Sequence, residues 1–216
     1  MKTKPTFEFE KLYIGKTIYG IDEAGLGPLA GPIVVASCCI ENFELPDELL
    51  NSINDSKKIS KKKRENLFEI IINIPNIKYG LSVIENSIID EIGLSAAWKK
   101  GILESVEDLN PDVCLVDGCR HVEIPNCTTV SIVKGDQKSY SIATASIIAK
   151  VTRDKIMKKI HEEFPEYGFD KHVGYGTKLH MEKIMQYGPC KYHRKSYAPI
   201  KLLINSFLKY FNNIQY

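Results

Sequence analysis

The sequence predicts an α/β fold, a mixed sheet flanked by helices and followed by a helical C-terminal region. Three observations predict it. Strand and helix signals alternate through much of the chain, no helix signal separates the first two strands, and strand signals are absent beyond Phe164. That order suggests a mixed sheet rather than separate all-α or all-β parts.

The elements follow in order. The first two strands are read over Thr17–Asp22 and Ile33–Ile40, from β-branched and aromatic runs. Ser60 caps a helix that reaches Ile72 and stops before Pro75. Ile77–Ile84 is the third strand. Ser95–Leu109 repeats its apolar residues at helical spacing and ends before Asn110-Pro111. Val113–Val116 and Thr129–Val133 are the fourth and fifth strands. The longest helix is Ser141–Phe164, stopped by Pro165. Thr177–Tyr187 follows, stopped by Gly188-Pro189, and Ile200–Phe211 closes the series.

At 216 residues the chain is long enough for one or two domains, and for a core that needs no disulfide or structural metal. With 44% hydrophobic and 26% charged residues, it is neither collagenous, nor a coiled coil, nor wholly disordered. The longest apolar run, Gly27–Ile40, is broken by prolines and is shorter than the roughly 20 residues of a membrane span. Met1–Tyr13 mixes charges and aromatics without the apolar segment of a secretory signal, so a cytoplasmic protein without a membrane partner is expected. Cys38, Cys39, Cys114, Cys119, Cys127 and Cys190 include no C-x-x-C pair and are read as reduced thiols, several packed as small hydrophobes.

Charge is unevenly spread. The formal net charge is +2, yet residues 81–126 carry nine acidic and three basic residues, whereas residues 134–201 carry fourteen basic and seven acidic ones. Lys57, Lys58 and Lys61 to Arg64 form a further basic block, with Lys61–Arg64 read as an exposed helix face. Two basic blocks in a small protein favour a polyanionic partner held by phosphate contacts. Charge alone does not separate DNA from RNA.

Acids stand where strands end. Asp22-Glu23 closes the first strand, Asp117 closes the fourth, and Asp136 follows the fifth in Val133-Lys-Gly-Asp136, each near a glycine. Adjacent strand residues point to opposite faces, so Asp22 and Glu23 share a site only if the chain turns between them, which Gly25 and Gly27 permit. Singly, Asp-Gly and Gly-Asp are turn signals. At an effective dielectric near 20, two unit charges about 4 Å apart repel by roughly 4 kcal/mol, so four converging carboxylates imply a bound cation. All-oxygen ligands favour Mg²⁺ or Mn²⁺ over zinc.

Gly20-Ile-Asp-Glu-Ala-Gly-Leu-Gly-Pro-Leu-Ala-Gly-Pro32 closely resembles the first motif of the ribonuclease HII family, the bacterial type 2 ribonucleases H. Further motifs match in order: Asp55-Ser-Lys-Lys-Ile-Ser60, Leu115-Val-Asp-Gly118, Val133-Lys-Gly-Asp136, the stretch Ser141–Asp154, His172-Val-Gly-Tyr-Gly-Thr177, and Tyr187-Gly-Pro189 with His193-Arg-Lys-Ser-Tyr197. The resemblance runs from about residue 15 to 200. It implies a ribonuclease H-like mixed five-stranded sheet, with residues 1–165 as the catalytic domain and residues 166–216 as a C-terminal helical substrate-binding region packed on it. It also implies a metal-dependent endonuclease that cuts the RNA strand of RNA–DNA hybrids and incises 5′ of ribonucleotides embedded in duplex DNA, leaving 3′-hydroxyl and 5′-phosphate ends.

By position, the family's four acidic metal ligands fall on Asp22, Glu23, Asp117 and Asp136, and the implied cofactor is a pair of Mg²⁺ or Mn²⁺ ions flanking the scissile phosphate. Asp136 is chosen over Asp154 because it belongs to Lys-Gly-Asp, while Asp154 sits in a helix among basic neighbours. Gly25, Leu26 and Gly27 match the family loop that contacts the 2′-hydroxyl through backbone, and Tyr175 matches the tyrosine that reads the RNA–DNA junction. Lys57, Lys150, Arg194 and Lys195 lie in matched motifs and are candidates for phosphate contacts. Leu26 departs from the family, which has Arg or Lys there; one electrostatic contact is therefore expected to be missing. No histidine falls in a catalytic or metal motif. A monomer is the default, and Asn205–Phe211 is read as an amphipathic helix packing Leu203, Phe207 and Phe211 rather than as a sliding-clamp peptide.

Three rivals remain open from sequence. A dinucleotide-binding loop, suggested by Gly25-x-Gly27, must open a helix, which Pro28, Pro32 and Ile33-Val34-Val35 oppose. A noncatalytic nucleic-acid binder gains nothing from clustered acids near phosphate. Another nuclease of the same superfold is open because fold alone does not fix substrate.

Overall fold

The computed structural model describes the backbone of residues 4–53 and 60–212, with side chains through residue 206. Five strands are present: β1 (Ile18–Ala24), β2 (Ile33–Ile40), β3 (Ile77–Ile84), β4 (Val113–Asp117) and β5 (Thr128–Ile132). The helices are α1 (Glu8–Lys11), α2 (Asp47–Ile53), α3 (Lys61–Ile71), α4 (Asn86–Ile92), α5 (Leu94–Val106), α6 (Tyr140–Glu163), α7 (Phe169–His172), α8 (Lys178–Tyr187) and α9 (Ala198–Asn212).

The strands form one mixed sheet in the order β3-β2-β1-β4-β5. β1 runs antiparallel to β2 and parallel to β4, and β4 runs parallel to β5. Its register sets Ile21 beside Val116, so Asp22 within β1 and Asp117 at the end of β4 are the next residues on adjacent strands. In β1 the strand continues through both acids to Ala24, with no turn between Asp22 and Glu23. The Glu23 charge nonetheless reaches Asp22 and raises its carboxyl, so the two acids come near each other without the turn that the sequence reading made a condition. Pairing with β2 explains the extension: Asp22, Glu23 and Ala24 stand opposite Ala36, Val35 and Val34.

The chain forms two compact units. The first comprises residues 1–24, 34–83 and 99–152; the second comprises 25–33, 84–98 and 153–216. The second unit thus draws on three separated stretches of sequence.

In the first unit, Ile18, Val113, Leu115 and Ile132 from β1, β4 and β5 bury against Ile142 of α6. Gly20 lies under the start of this helix, where any Cβ would overlap the backbone of Ser141 and Ile142. Glycine is therefore required for the close strand–helix approach. Glu10 is buried, and one carboxylate oxygen accepts from the Ser139 hydroxyl at 2.7 Å and the Ser141 amide at 3.1 Å. A carboxylate at a helix start satisfies otherwise orphaned amides and favours the dipole. Cys38, Cys39 and Cys114 are buried in the strands as small apolar groups.

The second unit has its own core of Leu29, Met157, Ile160, Tyr167, Phe169, Ile184 and Ile200, with Leu203 packed against it. The expected packing of Phe207 and Phe211 lies outside the described side chains. Among the described residues, no helix is long and apolar enough to cross a membrane.

Candidate active site

Strand period places the first acid. Gly20 and Asp22 share the face of β1 that meets α6, and the Ser146 hydroxyl of that helix hydrogen-bonds the Asp22 carboxylate. The Glu23 amide also donates to Asp22 Oδ1, at 2.8 Å. Asp22 is 7% exposed. Burial, then the charges of Glu23 and Asp117, push its carboxyl well above the usual carboxylate range, against those two hydrogen bonds.

Asp117 ends β4 and is held by the Gly135 amide, which donates to its Oδ1 at 2.6 Å. The same short turn carries Asp136, which is buried. Lys134 adopts a left-handed conformation with φ +57° and starts the turn Gly135–Gln137 just before α6. One loop thus both orients Asp117 and carries Asp136. Asp22, Glu23, Asp117 and Asp136 all belong to the first unit, whereas Asp154 belongs to the second, beside Arg153.

Among the described residues, no group of three or more His, Cys, Asp or Glu side chains forms a ready-made metal cage. Hard divalent ions such as Mg²⁺ are commonly held by one or two carboxylates with water and substrate phosphate completing the shell. An all-oxygen set whose buried member is destabilised by its neighbours' charges fits such an ion, because a cation removes the repulsion.

In the second unit the loop Gly25–Pro32 is shaped by two buried guanidinium groups. Arg194 is 0% exposed. Its Nε donates to the Gly31 carbonyl at 3.0 Å; Nη1 donates to the Leu26 carbonyl and the Tyr197 hydroxyl at 3.1 and 2.8 Å; Nη2 donates to the Gly25 and Gly31 carbonyls at 2.6 and 2.8 Å. A guanidinium has five N–H donors, and all five are engaged. The structure therefore corrects the expectation of a phosphate contact at Arg194: the group is buried and saturated, and it holds the loop.

Arg153, absent from the sequence-based site, does the same from the other end. It donates to the Pro32, Val173 and Ala30 carbonyls at 2.9, 2.9 and 3.1 Å. Burial and the neighbouring Arg194 charge lower its pKa to about 10, which leaves it charged at neutral pH. Gly25 has φ +104°, and a Cβ there would overlap Arg153 and the Pro32 carbonyl, so no side chain is tolerated.

With their carbonyls drawn to the arginines, the loop residues leave amides available. Among the described residues, nothing accepts from the Leu26 or Gly27 amide. Gly27 lies next to Tyr175: a methyl at Gly27 would sit 3.5 Å from the tyrosine ring, which is 46% exposed. The structure thus brings Gly25, Leu26, Gly27 and Tyr175 together in the second unit.

The remaining basic candidates are scattered. Lys195 is exposed, and its amide donates to Asp90 at 2.9 Å. Lys150 is half-buried on α6 in the first unit. Lys57 lies outside the described residues.

A family model for "Ribonuclease HII" matches residues 19–200. A curated relative, ribonuclease HII of Chlamydia muridarum, is 45% identical over 205 residues, covering 93% of this chain and 91% of that protein. Among solved structures, ribonuclease H2 of Pyrococcus horikoshii superposes with a TM-score of 0.75 at 25% identity, covering 89% of this chain and 99% of that one. Ribonuclease HII of Archaeoglobus fulgidus, solved in a complex with PCNA, gives 0.72 at 27% identity over 84% of this chain and 95% of that one. A match that runs from β1 into α9 makes this chain a member of the ribonuclease HII family, a type 2 ribonuclease H that cleaves the RNA of RNA–DNA hybrids.

Proposed function

We propose that the chain is a metal-dependent endonuclease that also incises 5′ of single ribonucleotides embedded in duplex DNA, leaving 3′-hydroxyl and 5′-phosphate ends, and so starts their removal. The observation that carries this reading is the register of the parallel strands β1 and β4, which makes Asp22 and Asp117 the next residues after the pair Ile21 and Val116, with the Asp117 charge raising the Asp22 carboxyl. Asp22, Glu23, Asp117 and Asp136 would hold Mg²⁺ or Mn²⁺. When bound, the ions supply an activated water and offset charge on the departing 3′ oxygen.

The chain's own residues do the orienting. Ser146 and the Glu23 amide fix one rotamer of Asp22, and the Gly135 amide fixes Asp117. Preset carboxylates lose little freedom when substrate arrives. Recognition of the sugar falls to the second unit. The free amides of Leu26 and Gly27 suit a 2′-hydroxyl, and the exposed Tyr175 ring packs on the sugar beyond it. Leu26 contributes its backbone without a charge to phosphate, while Lys57, Lys150 and Lys195 supply phosphate attraction and residues 166–216 contribute to substrate binding. The protein acts as a cytoplasmic monomer without a clamp partner.

Three duplexes test the reading: one all-DNA, one with a single ribonucleotide, and one RNA–DNA hybrid, each with Mg²⁺, Mn²⁺ or EDTA. A single nick 5′ of the ribonucleotide, absent with EDTA and on all-DNA, is expected. Cleavage of the hybrid with none of the single-ribonucleotide duplex would remove the finer assignment.

A further inference from the structure

Three histidines lie buried in the second unit, none of them in the sequence-based site. His172, His180 and His193 are 7%, 0% and 0% exposed. His172 stacks on His180 with ring centroids 4.3 Å apart, and His180 and His193 are 5.2 Å apart.

Their hydrogen bonds permit one assignment of protons in the neutral state. His180 Nδ1 is 2.9 Å from the Tyr175 carbonyl, which only accepts, so Nδ1 carries the proton. Its Nε2 is then bare. This atom lies 3.1 Å from His193 Nε2, which must therefore donate. His193 Nδ1 is then bare in turn and accepts from the Cys190 amide at 2.9 Å; the Cys190 carbonyl, 3.4 Å away, is the poorer partner. His172 works in parallel, with Nε2 donating to the Tyr167 carbonyl at 2.9 Å and Nδ1 accepting from the Gly174 amide at 3.2 Å. Burial, the first cause in each case, lowers all three pKa values, which keeps the rings neutral near pH 7.

One end of this chain and the parallel His172 both meet the segment around Tyr175. His180 holds the Tyr175 carbonyl, and His172 holds the Gly174 amide. The Tyr175 amide in turn donates to the His172 carbonyl at 2.9 Å. The segment needs such support. Val173 has φ +44°, a left-handed conformation that a β-branched residue adopts only under constraint. The tyrosine ring meanwhile projects half-exposed, without a packing wall on every side.

We propose that His180 and His193 are positioning residues: their directed hydrogen-bond chain, running from the Cys190 amide to the Tyr175 carbonyl, fixes the Tyr175 ring for reading the ribonucleotide sugar. The proposal rests on the assignment of Tyr175 to that sugar. It also explains why a hydrophobic interior holds polar rings here: an apolar residue fills the volume but cannot donate to a carbonyl at a set angle.

A double-mutant cycle on the single-ribonucleotide duplex tests it. His180→Leu and Tyr175→Ala are each expected to lower kcat/KM at least tenfold, and the double variant to be no worse than Tyr175→Ala alone. His180→Asn, whose amide nitrogen stands near the position of Nδ1, is expected to recover much of the loss. Full additivity, or wild-type activity of His180→Leu beside an impaired Tyr175→Ala, would overturn the positioning role while leaving Tyr175 in place. A neutral Tyr175→Ala would instead remove the Tyr175 reading, and this proposal with it. Should His180→Leu fail to fold, nitrogen-15 spectra of the wild-type histidines decide. Protons on His180 Nδ1 and His193 Nε2 are expected; the reverse tautomers contradict the chain.

Discussion

The two units treat buried charge in opposite ways. The first gathers carboxylates whose charges oppose one another, so that Asp22 is held as an anion only at a cost. The second buries two guanidinium groups, and their N–H donors end on carbonyls and a tyrosine hydroxyl. Unrelieved charge marks where a ligand must supply the missing partner. Satisfied charge marks a scaffold. By this contrast the proposed chemistry falls to the first unit, and the arginines of the second hold the shape of the loop Gly25–Pro32.

The strongest way to break that contrast is to remove a charge from each unit. Asp22→Asn or Asp117→Asn is expected to abolish cleavage of the hybrid and of the single-ribonucleotide duplex while gel-shift binding survives. Thermal melting of the metal-free variants should match or exceed wild type, since one repelling charge is gone. A clear loss of stability would instead make the acids structural.

Arg194→Leu should do the reverse, destabilising the fold by about 3–5 kcal/mol in urea unfolding, because several buried carbonyls lose their donor. Arg194→Lys should recover little, since a point charge with three donors cannot replace a five-donor fork. If Arg194→Leu keeps full stability and loses only affinity for nucleic acid, the arginine contacts phosphate after all.

Acid offers a gentler perturbation of the second unit. His180 and His193 fall from the ordinary 6.5 to about 4 on folding. A histidine whose pKa is lowered in the fold binds its proton more readily when unfolded. The associated stability is fully present above pH 6.5 and is lost as pH falls from there towards 4. Melting temperature followed across that window should drop, and His180→Asn should drop less. A flat profile would mean that the rings are already open to protonation.

The smallest effect is expected at Leu26. Leu26→Arg should steepen the dependence of log affinity on log salt by about one unit, the mark of one added phosphate contact. An unchanged slope would show that residue 26 does not face the backbone of the nucleic acid.

The same contrast decides what the sequence made legible. β-branched runs placed all five strands within a residue or two, because those side chains suit a pleated, packed surface. Ser60 and Thr177 were readable as helix starts because each hydroxyl accepts from an amide three residues on. The short helices α1, α2, α4 and α7 were not foreseen. A stretch such as Phe169–His172 is a single turn, with Phe169 and His172 buried, and shows no period of its own. The acids were visible because strand ends and nearby glycines advertise them. Arg194 was singled out only as a phosphate contact and Arg153 not at all, since the partners that define their role are mostly backbone carbonyls, which every residue carries and no sequence distinguishes. The histidines escaped for the same reason, being defined by Tyr175, Gly174 and Cys190 backbone atoms.

Titration calorimetry of Mn²⁺ into the wild type and into Asp22→Asn and Asp117→Asn tests the central claim, that the gathered acids of the first unit exist to hold cations. Binding by the wild type, weakened at least tenfold by either substitution and matched by loss of cleavage in EDTA, is the result expected. Equal binding by all three proteins, or undiminished wild-type turnover in excess EDTA, would contradict it.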